Sequence, residues 1–231
     1  MELNGKKIAF LGDSITEGAG VSCREHIFWN LVAQRTGAQC FGYGIGGTRI
    51  ARQIVPSDER WDQNFISRVD SMIPDADIVV VFGGTNDFGH GDAAFGTMSD
   101  RTDETFYGAM HVLCQKLYER YPEAQLVFMT PTHRCSEDDK DWNERGIRRV
   151  GVLADYVNAI RQVTEYYSIP VLDLWKVSGI QPKVPVLKEK YMPDGLHPND
   201  AGHVLIANKL IGFLNTLYGG LCRDTLRYSH P

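Results

Sequence analysis

Ile78-Val79-Val80-Val81-Phe82 is the run that decides the fold. Four of its five residues are β-branched, and none is polar, so the segment reads as a strand. A strand with one wet face alternates apolar and polar residues. An unbroken apolar run is a strand covered on both faces, as in a parallel sheet packed between helices. Working upstream, a helical stripe of Trp61, Phe65, Val69 and Met72 ends before Pro74, and a short strand covers Gln39 to Phe41. Before that lie a helix with Phe28, Leu31 and Val32, stopped near Gly37, and a first strand from Lys7 to Leu11. Downstream, Thr102-Asp103-Glu104-Thr105 opens a helix carrying Met110, Leu113, Cys114 and Leu117, with acids in its first turn. Leu126 to Met129 form a fourth strand, a polar loop runs from Pro131 to about Arg148, and Leu153, Val157 and Ile160 mark another helix. Val171-Leu172-Asp173-Leu174 is the fifth strand, and a last helix after Pro198 carries Val204, Ala207, Leu210, Ile211 and Leu214. Strands alternating with helices predict an α/β chain, a three-layer α/β/α sandwich on a five-stranded parallel sheet.

Composition narrows the function classes. The chain has 231 residues, 43% hydrophobic and 23% charged, which suits one globular domain over 1–231 with a core from about 7 to 218 and a polar tail from Cys222 to Pro231. A net charge of -5 and the lack of a basic run argue against nucleic acid as partner. No segment has the length of a membrane span, and Met1 to Lys7 lead almost directly into the first strand with no secretory signal. Five cysteines with no CxxC spacing disfavour both disulfides and zinc, so the expectation is a reduced, cytoplasmic protein.

In a parallel sheet, ligands gather at the carboxyl edge. The chemically suspicious residues all fall there: Ser14 after the first strand, Gly46-Gly47 after the second, Asn86 after the third, and Asp194 with His197 after the fifth. Ser14 alone is an ordinary helix cap, and His197 alone an ordinary structural histidine. Together they are a hydroxyl, a base and a carboxylate, and a serine hydroxyl needs such a base to attack at neutral pH. Asp194 and Asp173 compete to orient His197; Asp194 is favoured, being one turn back, whereas Asp173 is flanked by leucines. Gly42-Tyr43-Gly44-Ile45-Gly46-Gly47 matches GxGxxG but follows the second strand and lacks the later acidic partner of a dinucleotide site. Its other use is a backbone N–H aimed at an oxyanion. The Asn86 amide can donate to developing negative charge. A metal site on Asp194, His197 and His203 lacks a recognised ligand spacing.

Four blocks thus stand in order: Gly12-Asp13-Ser14, Gly44-Ile45-Gly46-Gly47, Gly84-Thr85-Asn86-Asp87 and Asp194-Gly195-Leu196-His197-Pro198. In this the chain resembles the SGNH, or GDSL-type, hydrolases, from residue 7 to about 218, with Ile15 where the family name has leucine. The resemblance implies a flavodoxin-like sheet and no cofactor. It implies Ser14 as nucleophile, His197 as base and Asp194 as carboxylate. The oxyanion hole would be the N–H of Ser14, the N–H of Gly47 (or of Gly46) and the Asn86 amide.

The expected substrate is a small ester. The edge loops carry Arg49, Arg52, His90, Arg134, Trp142 and Trp175, and no apolar lid segment stands out, which favours a short acyl group on a polar or saccharide alcohol. Alternatives are a lysophospholipase or thioesterase of the same family, a flavodoxin-like nucleotide-binding module without hydrolysis, and a protein that binds partners without turnover.

Overall fold

The structure is a computed structural model that describes residues 3–218; the polar tail expected from Cys222 onward lies outside them. Its sheet has five parallel strands in the order β2-β1-β3-β4-β5, with β1 at Lys7–Gly12, β2 at Gln39–Gly44, β3 at Ile78–Phe82, β4 at Gln125–Met129 and β5 at Val171–Leu172. Nine α-helices are formed among the described residues: α1 Ser14–Glu17, α2 Phe28–Thr36, α3 Phe65–Arg68, α4 Thr85–His90, α5 Phe106–Arg120, α6 Leu153–Tyr166, α7 Leu174–Val177, α8 Pro185–Tyr191 and α9 Asp200–Tyr218.

The apolar run of β3 shows why this becomes three layers. Successive side chains of a strand face opposite ways. Ile78, Val80 and Phe82 join Phe10, Phe28, Val32, Ala207 and Leu210 in one core, with α2 and α9. Val79 and Val81 join Leu11, Phe65, Leu113 and Ile160 in the other, with α3, α5 and α6. No helix among the described residues is long and apolar enough to cross a membrane.

The elements differ from expectation where polar side chains redirect the chain. Trp61 is not helical: α3 begins only after Asn64, whose side chain accepts the Ser67 N–H, and a single 3-10 turn, Val69–Ser71, completes the segment. Upstream, Asp58 accepts from the N–H groups of Arg60 and Trp61, and Asp62 from that of Ser57, so residues 57–64 form a looped strap. The helix after Thr102 starts three residues later than read: Thr105 rather than Thr102 is its N-cap, and Asp103 and Glu104 pair with Arg52 before the first turn. Strand β5 stops at Leu172 because the Asp173 carboxylate is taken by Arg161 and by the Thr130 hydroxyl, and Leu174 opens α7. Strand β2 runs on to Gly44, in register with Gly12.

Candidate active site

Ser14 owes its position to two neighbours. The buried β1 ends at Gly12, and the Asp13 carboxylate caps α1 by accepting the Ile15 N–H at 3.0 Å. Ser14 is therefore the first helical residue, and its own N–H has no partner within the helix. The other side of this turn is Gly44, where a Cβ would lie 2.1 Å from the Glu17 nitrogen, so only glycine lets β2 pass α1 so closely.

The loop before α9 brings up the imidazole. Asp194 Oδ1 accepts the N–H groups of Leu196 (2.8 Å) and His197 (2.7 Å), folding the segment into a tight turn. That turn sets Asp194 Oδ2 2.7 Å from His197 Nδ1. The opposite ring nitrogen, Nε2, lies 3.1 Å from Ser14 Oγ, across 183 residues of sequence. With Nδ1–H donating to the carboxylate, Nε2 is the acceptor for the hydroxyl proton. Burial pushes the Asp194 carboxyl up, but the N–H groups of Leu196 and His197 and the His197 ring outweigh it and hold the group below its usual range. Asp173, the competing carboxylate, is engaged by Arg161 and Thr130.

The third part of the site is the turn after β2. Gly47 has φ of +78°, and a Cβ there would sit 2.5 Å from the Trp61 ring, so conformation and crowding both demand glycine. The Gly46 N–H is already donated to Glu17 Oε2 at 2.8 Å. The flanking bonds run from Ile45 N–H to Gly12 O and from Thr48 N–H to Ile45 O, which leaves the Gly47 N–H outside this set. A carboxylate in this cradle also repels phosphate, the opposite of what the GxGxxG reading requires. Asn86, in the first turn of α4, is buried; one amide hydrogen goes to the Thr48 carbonyl at 3.0 Å, and the second is left for another acceptor. Its neighbour Asp87 accepts the N–H groups of Ile50 (3.0 Å) and Ala51 (2.9 Å). The Asn86-Asp87 pair thereby staples residues 48–51 to α4.

Sequence reasoning missed Arg68. This buried side chain donates to the carbonyls of Tyr43 and Gly12 and to the Thr48 hydroxyl, tying together the ends of β1 and β2 and the turn beyond. An arginine near a helix end reads as solvated surface, and only the short α3 turns it inward. Burial lowers its guanidinium to about 10, despite Asp13 and Glu17 nearby. Burial likewise raises Asp13 to about 7 and Asp87 to about 6, against their backbone N–H partners.

The other residues singled out from sequence are scattered. Arg49 is buried and donates to Asp62 (2.7 Å) and to His90 Nδ1 (2.8 Å). Burial, then Arg49, lowers His90 to about 4. Arg52 is paired with Glu104 at the surface, Arg134 with Glu144, the Trp175 ring lies tilted against His133 with centroids 3.9 Å apart, and Trp142 is exposed. His203 is fully buried, with Nδ1 accepting the Phe28 N–H, so it is not gathered with Asp194 and His197. Among the described residues no group of three or more His, Cys, Asp or Glu side chains is arranged to hold a metal ion.

Sheet order, layers and the edge loops together are those of the three-layer SGNH hydrolase fold. The model of the GDSL-like lipase/acylhydrolase family matches residues 10–205, and the chain belongs to that family. One solved structure is 34% identical, covering 94% of this chain and 99% of its own, with a TM-score of 0.80. A protein from Lactobacillus plantarum is 32% identical over 92% of this chain and 98% of its own, with a TM-score of 0.77. An acetyl xylan esterase, AlAXEase, shares the fold at 24% identity, covering 90% of this chain and 99% of its own with a TM-score of 0.62. No curated protein matches the chain.

Proposed function

We propose that this protein hydrolyses carboxylic esters through an acyl-enzyme on Ser14, with a short acyl group, acetyl first, on a polar or saccharide alcohol. The observation that carries this reading is the line from Ser14 Oγ to His197 Nε2 (3.1 Å) and from His197 Nδ1 to Asp194 (2.7 Å).

Ser14 Oγ attacks the ester carbonyl while His197 Nε2 takes its proton, and Asp194 holds the ring and balances its charge. The carbonyl oxygen becomes an oxyanion received by the Ser14 N–H, the Gly47 N–H and the free Asn86 amide hydrogen. His197 returns the proton to the leaving alcohol. Water, deprotonated by the same ring, attacks the acyl-enzyme and releases the acid. Every step uses side chains and backbone of this chain, and no cofactor enters. The acetyl end of the proposal is supported by the polar edge loops and by the shared fold with an acetyl xylan esterase.

The test is a paired assay of acetate release from acetylated xylo-oligosaccharides and of fatty-acid release from a long-chain lysophospholipid. Turnover of the first in excess of the second is expected. The reverse preference moves the assignment to a lysophospholipase or thioesterase.

A further inference from the structure

We infer that Trp61 is the wall of the acyl site and sets the length of acyl chain the enzyme accepts; this rests on the proposed role of Ser14. Two helical layers flank the sheet edge that carries Ser14. His197 precedes α9, in the layer that packs with α2. Trp61 precedes α3, in the opposite layer. Ser14 stands at the sheet edge between them.

A tetrahedral intermediate has four directions around its carbon. One is the bond to Ser14 Oγ, and one is the oxyanion, aimed at Gly47 and Asn86. The leaving oxygen must face His197, which protonates it. The acyl substituent takes the direction that remains, away from His197 and toward the layer of α3. Trp61 stands on that side, against the turn that carries Gly47. Its ring lies so close to Gly47 that a Cβ on that glycine would be 2.5 Å from it, and it packs against His90 with ring centroids 5.2 Å apart. His90 is one helical turn beyond Asn86, so the indole lies against the turn of Gly47 and against α4, the helix that carries Asn86.

The strap that carries Trp61 is held in place rather than loose on the surface. Asp58 accepts the backbone N–H of Trp61, Arg49 donates to its backbone carbonyl at 3.2 Å, and Asp62 is clamped by Arg49 and Ser57. Arg60, next in the strap, pairs with Glu17 beside Ser14. Yet 41% of Trp61 remains exposed, beside the turn that carries Gly47. An indole carried on this strap and packed on His90 gives an acetyl methyl a surface to pack on and blocks a longer chain.

The experiment measures kcat/KM for p-nitrophenyl acetate, butyrate, hexanoate and octanoate with the wild type, Trp61→Phe and Trp61→Ala. Each methylene newly admitted to an apolar trough is worth about 0.8 kcal/mol, or about fourfold. The octanoate-to-acetate ratio is therefore expected to rise about tenfold or more in Trp61→Ala, with Trp61→Phe between. Fluorophosphonate labelling of Ser14 in the same preparations reports an intact nucleophile. Labelled Ser14 with an unchanged ratio, or a uniform loss at every chain length, overturns the role of Trp61. Failure to label Ser14 even in the wild type removes the reading beneath it as well.

Discussion

At the scale of single residues, Ser14→Ala separates chemistry from folding. It removes one oxygen from a half-buried helix start, so thermal stability should hold while kcat for p-nitrophenyl acetate falls on the order of 10³-fold or more. Asn86→Ala should lower kcat about 10²- to 10³-fold with KM less affected, because the free amide hydrogen meets charge only in the transition state. A rise in KM with kcat intact would instead make Asn86 a ground-state binding residue. Asp13 gives a pH prediction. Its carboxyl ordinarily titrates near 3.8, and burial raises it to about 7 in the fold. Between those values the folded chain keeps a proton that the unfolded chain has released, so stability falls as pH rises through that window. Asp13→Asn keeps an oxygen for the Ile15 N–H and removes the titration. The loss of unfolding free energy from pH 4 to pH 7.5, read from urea denaturation, should therefore be smaller in the variant by on the order of a few kcal/mol; parallel losses would contradict the assignment. Ser14, Asn86, Asp194 and His197 were legible in sequence because each stands in a short block at a strand or helix end. Arg68 was not, since its burial depends on how far α3 extends.

At the scale of elements, the Asn86-Asp87 pair is the joint between α4 and the turn carrying Gly47. Asp87→Asn leaves one oxygen where two accept the N–H groups of Ile50 and Ala51. One buried N–H then loses its partner, at a cost of about 1–3 kcal/mol in urea unfolding. Because residues 48–51 also carry the Thr48 carbonyl that orients Asn86, kcat should fall in protein that is still folded. Full activity in a destabilised variant would show that the staple serves stability alone. Strand β3 was read with its observed ends because an unbroken apolar run has one explanation. The segment from Trp61 to Met72 was misread because its apolar spacing imitates a helix, while Asp58, Asp62 and Asn64 hold its first part as a strap. Helices α4 and α8 went unread: α4 opens on Gly83-Gly84, which reads as loop, and α8 has no buried face to create a stripe.

At the scale of the whole molecule, alternating strands and helices carried the layer architecture, whereas the opposition of His197 and Trp61 across the sheet is a product of topology that no local pattern encodes. The separation of 183 positions between Ser14 and His197 is closed by the strand order and by α9 packing on α2. On the proposed mechanism this closure is what activates Ser14. Intact-mass and peptide analysis after reaction with a fluorophosphonate tests it most directly. One adduct per chain is expected, on Ser14, absent from Ser14→Ala and formed much more slowly in His197→Ala. An adduct on another residue, no adduct at all, or an undiminished rate in His197→Ala would contradict it.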